Sequence, residues 1–170
     1  MPAKTRTRTN STVDRALAET PQGHLQELDL RQLIGYQVAQ ASIVTLRVFN
    51  EVVGKPLGLR TVEYTVLALI RANGAVSPAQ LAKALNLSPS YITLALGSLE
   101  GMGLVTRETN ADDKRGQRLH VTTQGRALVE RMTGELIAAE RAAFVTLTPI
   151  EQAMLGELLH KLSLSRARAG

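Results

Sequence analysis

Apolar residues recur at helical spacing along most of the chain. From about Leu25 they follow one another at steps of three and four residues, which predicts a long first helix. Gly54 and Pro56, a stop signal followed by a breaker, predict the end of this helix. The same spacing returns over residues 61–72 and predicts a second helix. Helices therefore dominate the first part of the predicted fold.

Two short helices are predicted where a Ser-Pro pair precedes apolar residues. Ser77 can cap the third helix of the chain, and Gln80, three residues later, completes a capping box. A second pair, Ser88 and Pro89, opens a fourth helix that ends near Gly101. Two short helices joined by about three residues form the skeleton of a helix-turn-helix.

The spacing of apolar residues changes after Gly103. Residues 104–108 and 118–122 favour two strands, and the second segment alternates polar and apolar positions as a half-buried strand does. Residues 110–116 between them are polar and turn-forming. A strand, a charged loop and a strand directly after a helix-turn-helix predict a wing. The sequence therefore predicts a winged helix-turn-helix from Thr61 to Thr122.

Two further helices are predicted after the wing. Thr122 or Thr123 caps the first, and a capping box at residues 148–151 opens the second. The last helix presents a row of leucines: Leu155, Leu158, Leu159 and Leu162. Together with the valine stripe of the first helix, this is more apolar surface than a short monomer can cover, so the sequence predicts a stable dimer.

Composition and charge narrow the possible functions only a little. The chain of 170 residues contains no cysteine, which removes disulfides, thiolate metal sites and cysteine redox switches. A net charge of +5 favours a polyanionic partner weakly. The basic N-terminus lacks the apolar core of a secretory signal, and no apolar run approaches the width of a bilayer. We therefore expect a soluble, cytoplasmic protein without a membrane partner.

No enzymatic site, cofactor or metal site is predicted. The histidines, His24, His120 and His160, are far apart and lack the spacing of metal ligands. The adjacent carboxylates Asp112 and Asp113 lie in a polar loop beside basic residues, where a solvated turn is the simpler interpretation. There is no Gly-rich phosphate-binding loop. An enzyme reading therefore has no constellation of residues to support it.

The predicted outer face of the fourth helix carries hydroxyls and small apolar groups but no Lys or Arg. Ser and Thr can bond several base edges, and an apolar side chain can touch the methyl group of thymine. A merely polar surface helix is the alternative, and the wing that follows favours a helix that reads DNA. The candidate DNA-binding residues on this recognition helix are Ser88, Ser90, Tyr91, Thr93 and Ser98.

The wing carries basic side chains that are suitably placed to reach phosphates or a narrow minor groove. An acidic neighbour, Asp112 or Asp113, can pair with Arg115 and hold it extended. For any single residue, a solvated hairpin loop with incidental charges remains an alternative. The candidate DNA-binding residues of the wing are Arg107, Asp113, Lys114, Arg115 and Arg118.

Residues from about 30 to 162 resemble the MarR family of bacterial regulators. The motifs that carry the resemblance are Leu57-Gly58-Leu59 with Tyr64 and Leu67, residues 77–82 and 87–93, Leu99-Glu100, Gly103-Leu104-Val105, and Val121-Thr122 through Gly125 to Leu128. The family wing often reads Asp-x-Arg-Asp-x-Arg; Asp113 and Arg115 match this pattern, whereas Asn110 and Asp112 do not. The resemblance implies an obligate homodimer with interleaved terminal helices and a ligand-sensitive hinge beside the DNA-binding lobes.

The predicted function is that of a dimeric, sequence-specific transcriptional regulator, a repressor that a small-molecule effector releases from double-stranded DNA. A two-fold protein implies a pseudo-palindromic operator with half-sites about 10 base pairs apart. The resemblance suggests an aromatic acid as effector. Tyr36, Gln40 and Tyr64 are candidates for its pocket, although each could equally be a packed residue. The alternative function is a winged-helix module for protein–protein interaction without specific DNA binding.

The predicted fold is thus mainly α, a winged helix-turn-helix with a two-stranded β-wing and long N- and C-terminal dimerisation helices. A flexible basic N-terminal arm is predicted at residues 1–24 and a dimerisation helix at 25–56. The DNA-binding lobe would occupy residues 57–122, followed by C-terminal dimerisation helices at 123–170.

Overall fold

Helices make up most of the backbone in a computed structural model of the chain, which describes residues 19–109 and 117–168. The main elements are α1 (Ile34–Phe49), α2 (Thr61–Asn73), α3 (Pro78–Leu85), α4 (Pro89–Gly101), β1 (Val105–Thr109), β2 (Gln117–Val121), α5 (Thr123–Ala143) and α6 (Pro149–Leu164). This order of elements confirms the mainly α fold with a two-stranded wing. The chain divides into two compact units, residues 1–44 and residues 45–170.

The first helix starts later than its apolar pattern predicts. A 3-10 turn occupies Leu28–Gln32, and Leu33 is extended with φ −84° and ψ 110°, so α1 begins only at Ile34. The prediction of a continuous helix from Leu25 is therefore wrong at its start. The Tyr36 hydroxyl donates to Glu27 Oε1 over 2.9 Å, a contact made by the bent segment that the periodicity of apolar residues does not reveal. Of the predicted arm at 1–24, residues 1–18 lie outside the described residues.

The end of the first helix also differs from the prediction. Beyond Phe49 the helix continues through a π-helical turn, Asn50–Gly54, and a short helix, Lys55–Leu57. The Lys55 amide donates to the Asn50 carbonyl, five residues back, and Pro56 lies in the first turn of the short helix, where its missing N–H is tolerated. The actual stop is Gly58, which adopts the left-handed conformation at φ +68°.

The helix starts are confirmed at the predicted caps. The Ser77 hydroxyl accepts from the Gln80 amide over 3.2 Å, and the Gln80 side chain accepts from the Ser77 amide over 2.8 Å. The hydroxyl of Thr148 caps α6 in the same way, in a capping box with Glu151. Local hydrogen-bonding chemistry thus determines where these helices begin.

The core of the second unit lies between α2, α4 and the wing. Its fully buried side chains include Val66, Leu67, Ile70, Ile92, Leu96, Leu99, Leu104 and Leu119. The strands pair antiparallel with Val105 opposite Val121 and Thr109 opposite Gln117. A further bridge joins Val76 to Leu119, with the Leu119 amide donating to the Val76 carbonyl over 2.8 Å. This bridge ties the start of the helix-turn-helix to the wing.

Glycine at position 125 allows α5 to pack tightly against the wing. A Cβ atom on Gly125 would lie 2.2 Å from the Leu104 carbonyl oxygen and 2.9 Å from Val121 Cγ2. The Thr122 hydroxyl donates to the Gly103 carbonyl over 2.8 Å and accepts from the Gly125 amide over 3.0 Å. The cap and the glycine together set where α5 leaves the wing.

The last helix buries none of its side chains within the single chain. The predicted leucine row is exposed, with Leu158 retaining 55% of its accessible surface and Leu162 retaining 50%. No helix among residues 19–109 and 117–168 is both long and apolar enough to cross a bilayer.

Candidate nucleic-acid interface

A tight turn sets the angle between α3 and α4. Asn86 closes α3 in the left-handed conformation at φ +53°, and the Leu87 amide donates to the Ala82 carbonyl over 3.0 Å. The Ser88 hydroxyl then accepts from the Tyr91 amide over 3.3 Å and starts α4. The inner face of α4 is buried, namely Ile92, Ala95, Leu96 and Leu99. The opposite face of α4 is therefore left towards solvent, as predicted.

Three of the predicted contact residues lie together on the exposed side of α4. Ser90 is exposed, and its hydroxyl is 3.5 Å from the hydroxyl of Ser88. The Thr93 hydroxyl is exposed and donates to the Pro89 carbonyl over 3.0 Å. Its proton is thus used within the helix, and its oxygen remains available as an acceptor. Tyr91 is also exposed, and the Arg60 guanidinium carbon lies 5.9 Å from its ring centroid.

Ser98 is placed differently from the other predicted contact residues. It is half-buried, and its hydroxyl is one of the groups that lower the pKa of the Glu63 carboxylate at the start of α2. Glu63 retains only 3% of its accessible surface. Glu63 Oε1 accepts from Arg60 Nη2 over 2.7 Å, and Glu63 Oε2 accepts from the Arg60 amide over 2.7 Å. We call Arg60, Glu63, Tyr91 and Ser98 the α2–α4 cluster.

Sequence reasoning missed Arg60 and Glu63. Their signal was the spacing of a capping box, in which a carboxylate at the third helical position bonds back to the residue before the helix. Burial raises the pKa of Glu63, but hydrogen bonds from the side chain and amide of Arg60 and from Ser98 outweigh burial and hold it below its ordinary value. The carboxylate is therefore charged at neutral pH and joins the first turn of α2 to the recognition helix.

The wing is tied to α4 by an ion pair. Arg107 Nε donates to Glu100 Oε1, and Arg107 Nη1 donates to Gln117 Oε1 over 3.2 Å. Arg107 thus holds β1 and β2 against the end of α4. Arg118 is exposed on β2 opposite Glu108, and no hydrogen bond or ion pair joins its side chain to another residue within 19–109 or 117–168. The predicted wing residues Asp113, Lys114 and Arg115 lie outside the described residues.

Two of the predicted effector-pocket residues, Tyr36 and Tyr64, each hydrogen-bond to a partner within their own unit. In the first unit, Tyr36 donates to Glu27, and this hydrogen bond raises the pKa of Tyr36 more than any other contact, while a hydrogen bond to Gln40 lowers it. In the second unit, the Tyr64 hydroxyl lies 2.7 Å from the Thr133 hydroxyl. Each phenol thus has a hydrogen-bond partner, and the pocket stays a prediction. No group of three or more potential metal ligands occurs in the described part of the chain.

Known proteins are similar in sequence to most of this chain. A family model described as the MarR family matches residues 59–116. A helix-turn-helix transcriptional repressor of Mycobacterium tuberculosis is 30% identical over 107 residues, which cover 63% of this chain and 77% of that protein. The transcriptional regulator PecS of Dickeya dadantii is 29% identical over 128 residues, covering 74% of this chain and 76% of PecS.

Solved structures extend the likeness to the arrangement of the helices. The transcriptional repressor CouR, bound to a 23-mer DNA duplex, superposes with a TM-score of 0.73 at 26% identity. That match covers 82% of this chain and 98% of CouR. A mutant MarR of E. coli in complex with operator DNA gives a TM-score of 0.67 at 28% identity, covering 79% of this chain and 97% of the other.

Proposed function

This chain belongs to the MarR family of transcriptional regulators, and from that premise we propose that it is a homodimeric repressor. It binds a pseudo-palindromic operator through α4 and the wing, and a small-molecule effector releases it from the DNA. The cytoplasm is its proposed compartment. The α2–α4 cluster and the Arg107–Glu100 pair hold the two DNA-binding elements in one orientation.

The observation that carries the proposal is the exposed face of α4. Ser90 and Thr93 present hydroxyl oxygens there, and α4 itself contains no Lys or Arg, which suits contact with base edges more than with phosphates. Arg118 supplies an exposed positive charge on the wing. Two relatives of the same fold, CouR and the MarR mutant of E. coli, have been solved on DNA.

Support for a dimer comes from the exposed leucines of α6. A helix that buries nothing in its own chain but presents Leu155, Leu158, Leu159 and Leu162 needs a covering surface. A second copy of the chain supplies that surface and places two recognition helices at half-sites about 10 base pairs apart.

Repression is proposed from the relatives, and release by an effector from the resemblance to the MarR family. The M. tuberculosis relative and CouR are both described as repressors. An aromatic acid is the proposed effector, and an effector that favours one spacing of the lobes would depopulate the DNA-bound one.

Replacing Thr93 with alanine tests whether α4 reads bases. One lost base contact costs on the order of 1–3 kcal/mol of discrimination, and two lobes in one dimer double the free-energy loss when the half-sites are independent. The variant should bind a duplex selected from random DNA more weakly, while its affinity for a scrambled duplex stays nearly unchanged. Both titrations are made at one salt concentration.

Thr65→Ala is the matched control, because the Thr65 hydroxyl makes the same bond to the carbonyl four residues back, in α2. It should not change either affinity. Equal losses on both duplexes for Thr93→Ala would contradict base reading by this residue. A wild-type chain with no preference for any duplex would favour the protein-interaction alternative.

A further inference from the structure

A large apolar side chain stands in the middle of the exposed face of α4. Leu94 retains 65% of its accessible surface, although Ile92, Leu96 and Leu99 on the same helix are completely buried. Ser90 lies one turn before it on the same face. An exposed leucine between hydroxyl-bearing residues contributes little to the core of this unit and is available for contact with something outside the chain.

The residue one turn after Leu94 is a glycine that the fold does not require. Gly97 is in the helix interior, and a Cβ atom built on it would meet nothing within 4 Å. Glycine is the weakest helix former after proline, so alanine would suit the isolated helix better. A glycine at such a place lets another molecule approach the helix backbone closely. Leu94 and Gly97 therefore form one exposed apolar surface on α4.

We propose that Leu94 contacts the 5-methyl group of a thymine in the major groove, and that Gly97 allows α4 to lie close enough for this contact. The inference rests on the proposed function and names the base that this face selects. Thymine alone presents a methyl group in the major groove, so a leucine finds an apolar partner only at thymine. A phosphate partner is unsuited to Leu94, because an apolar side chain cannot neutralise it.

A methyl-deletion scan tests the contact directly. Deoxyuridine lacks only the methyl group of thymidine, so each thymine of the selected duplex is replaced in turn, symmetrically in both half-sites. For the wild-type protein, one position should lose about fourfold in affinity per half-site, or roughly sixteenfold per dimer, the value of one buried methyl group. For Leu94→Ala, whose affinity for the thymine duplex is already lower, the same substitution should cost less than twofold.

The possible results distinguish failure of the methyl contact from failure of the proposed DNA-binding function. If every deoxyuridine substitution has the same effect on Leu94→Ala as on the wild type, the methyl contact is overturned while specific DNA binding stands. Unchanged operator affinity of Leu94→Ala overturns it too, and would assign the exposed leucine to a protein partner. A wild-type chain that does not distinguish the selected duplex from a scrambled one overturns the proposed function and the contact with it.

Gly97→Ala provides a second test, in which the expected loss of DNA binding cannot be explained by loss of stability. The substitution should raise the melting temperature by about 2–4 °C, because alanine favours the helix. It should nevertheless weaken operator binding at least tenfold, because the added methyl group keeps α4 away from the groove floor. Gly134→Ala in α5 is the control, since its Cβ also meets nothing within 4 Å, and it should leave DNA affinity unchanged. Unchanged operator affinity of Gly97→Ala would overturn the close approach.

Discussion

Replacing Glu63 with glutamine should destabilise the fold at neutral pH and have little effect in acid. The carboxylate is almost fully buried and accepts hydrogen bonds from the Arg60 guanidinium and the Arg60 amide, and the Ser98 hydroxyl further lowers its pKa. Glutamine has nearly the same shape but presents one NH2 group, which must face one of these donors. The change therefore removes the charge and leaves one donor without an acceptor.

The loss of folding free energy expected for Glu63→Gln follows from these contacts. Hydrogen bonds to a charged group contribute about 1.5–3 kcal/mol and neutral ones about 0.5–1.5 kcal/mol, so each bond weakens by about 1 kcal/mol. The guanidinium contribution is discounted, because the Arg60 side chain is 54% exposed and solvent screens the pair. Because the neutral glutamine is less costly to bury than the charged carboxylate, part of the remaining destabilisation is offset. We expect Glu63→Gln to lower the free energy of unfolding by about 1–2 kcal/mol, or the melting temperature by roughly 3–6 °C.

The pH dependence has a definite sign. The pKa of Glu63 in the folded chain lies below its ordinary value of 4.5, so the charged carboxylate stabilises the fold above that value. This contribution is lost as the pH falls through the folded pKa. The difference between wild type and Glu63→Gln should therefore be full at neutral pH and shrink as the pH falls below 4.5 through the folded pKa.

Thermal unfolding of both proteins at equal chain concentration, over that pH range, measures the difference. Glu151→Gln is the control: backbone and side-chain hydrogen bonds from Thr148 lower the pKa of Glu151, so its loss has the same pH sign. Glu63→Gln should also weaken operator binding, because Glu63 binds Arg60, whose guanidinium lies over the Tyr91 ring of α4, whereas Glu151→Gln should not. A stability difference that persists unchanged in acid would refute the charged network.

Three further predictions concern the dimer, the wing and the junction with α5. Leu158→Glu combined with Leu162→Glu should give monomer or aggregate without specific DNA binding, and a wild-type chain that sediments as a monomer at micromolar concentration would contradict this. Arg115→Ala should weaken operator binding, and if Arg115 contacts phosphate the salt slope should become shallower by roughly one unit per lost contact; unchanged affinity and slope would make it a solvated loop residue. Gly125→Ala should destabilise the fold by at least 2 kcal/mol, on the order of a strained core substitution, because its Cβ meets the Leu104 carbonyl at 2.2 Å, and an unchanged melting curve would show that α5 can shift.

The sequence by itself determined the features that depend on local chemistry. Ser77, Ser88 and Thr148 begin helices where their hydroxyls can cap an amide, and such a hydrogen bond spans only three residues. The inner face of α4 was also predicted, because helical periodicity alone separates Ile92 and Leu99 from the exposed positions. Both kinds of signal are contained in a short window, so no knowledge of distant residues is needed.

Tertiary structure decided the features that join residues far apart in the chain. Ser98 was predicted to face DNA, but it is half-buried and lowers the pKa of Glu63, 35 residues away, because α2 packs against α4. The start of α1 moved to Ile34, and its end moved from Gly54 to Gly58 through a π-helical turn. The periodicity of apolar residues predicts which face of a helix is buried. Only the packing of helices determines which polar side chain on the other face is partly buried by a neighbouring helix.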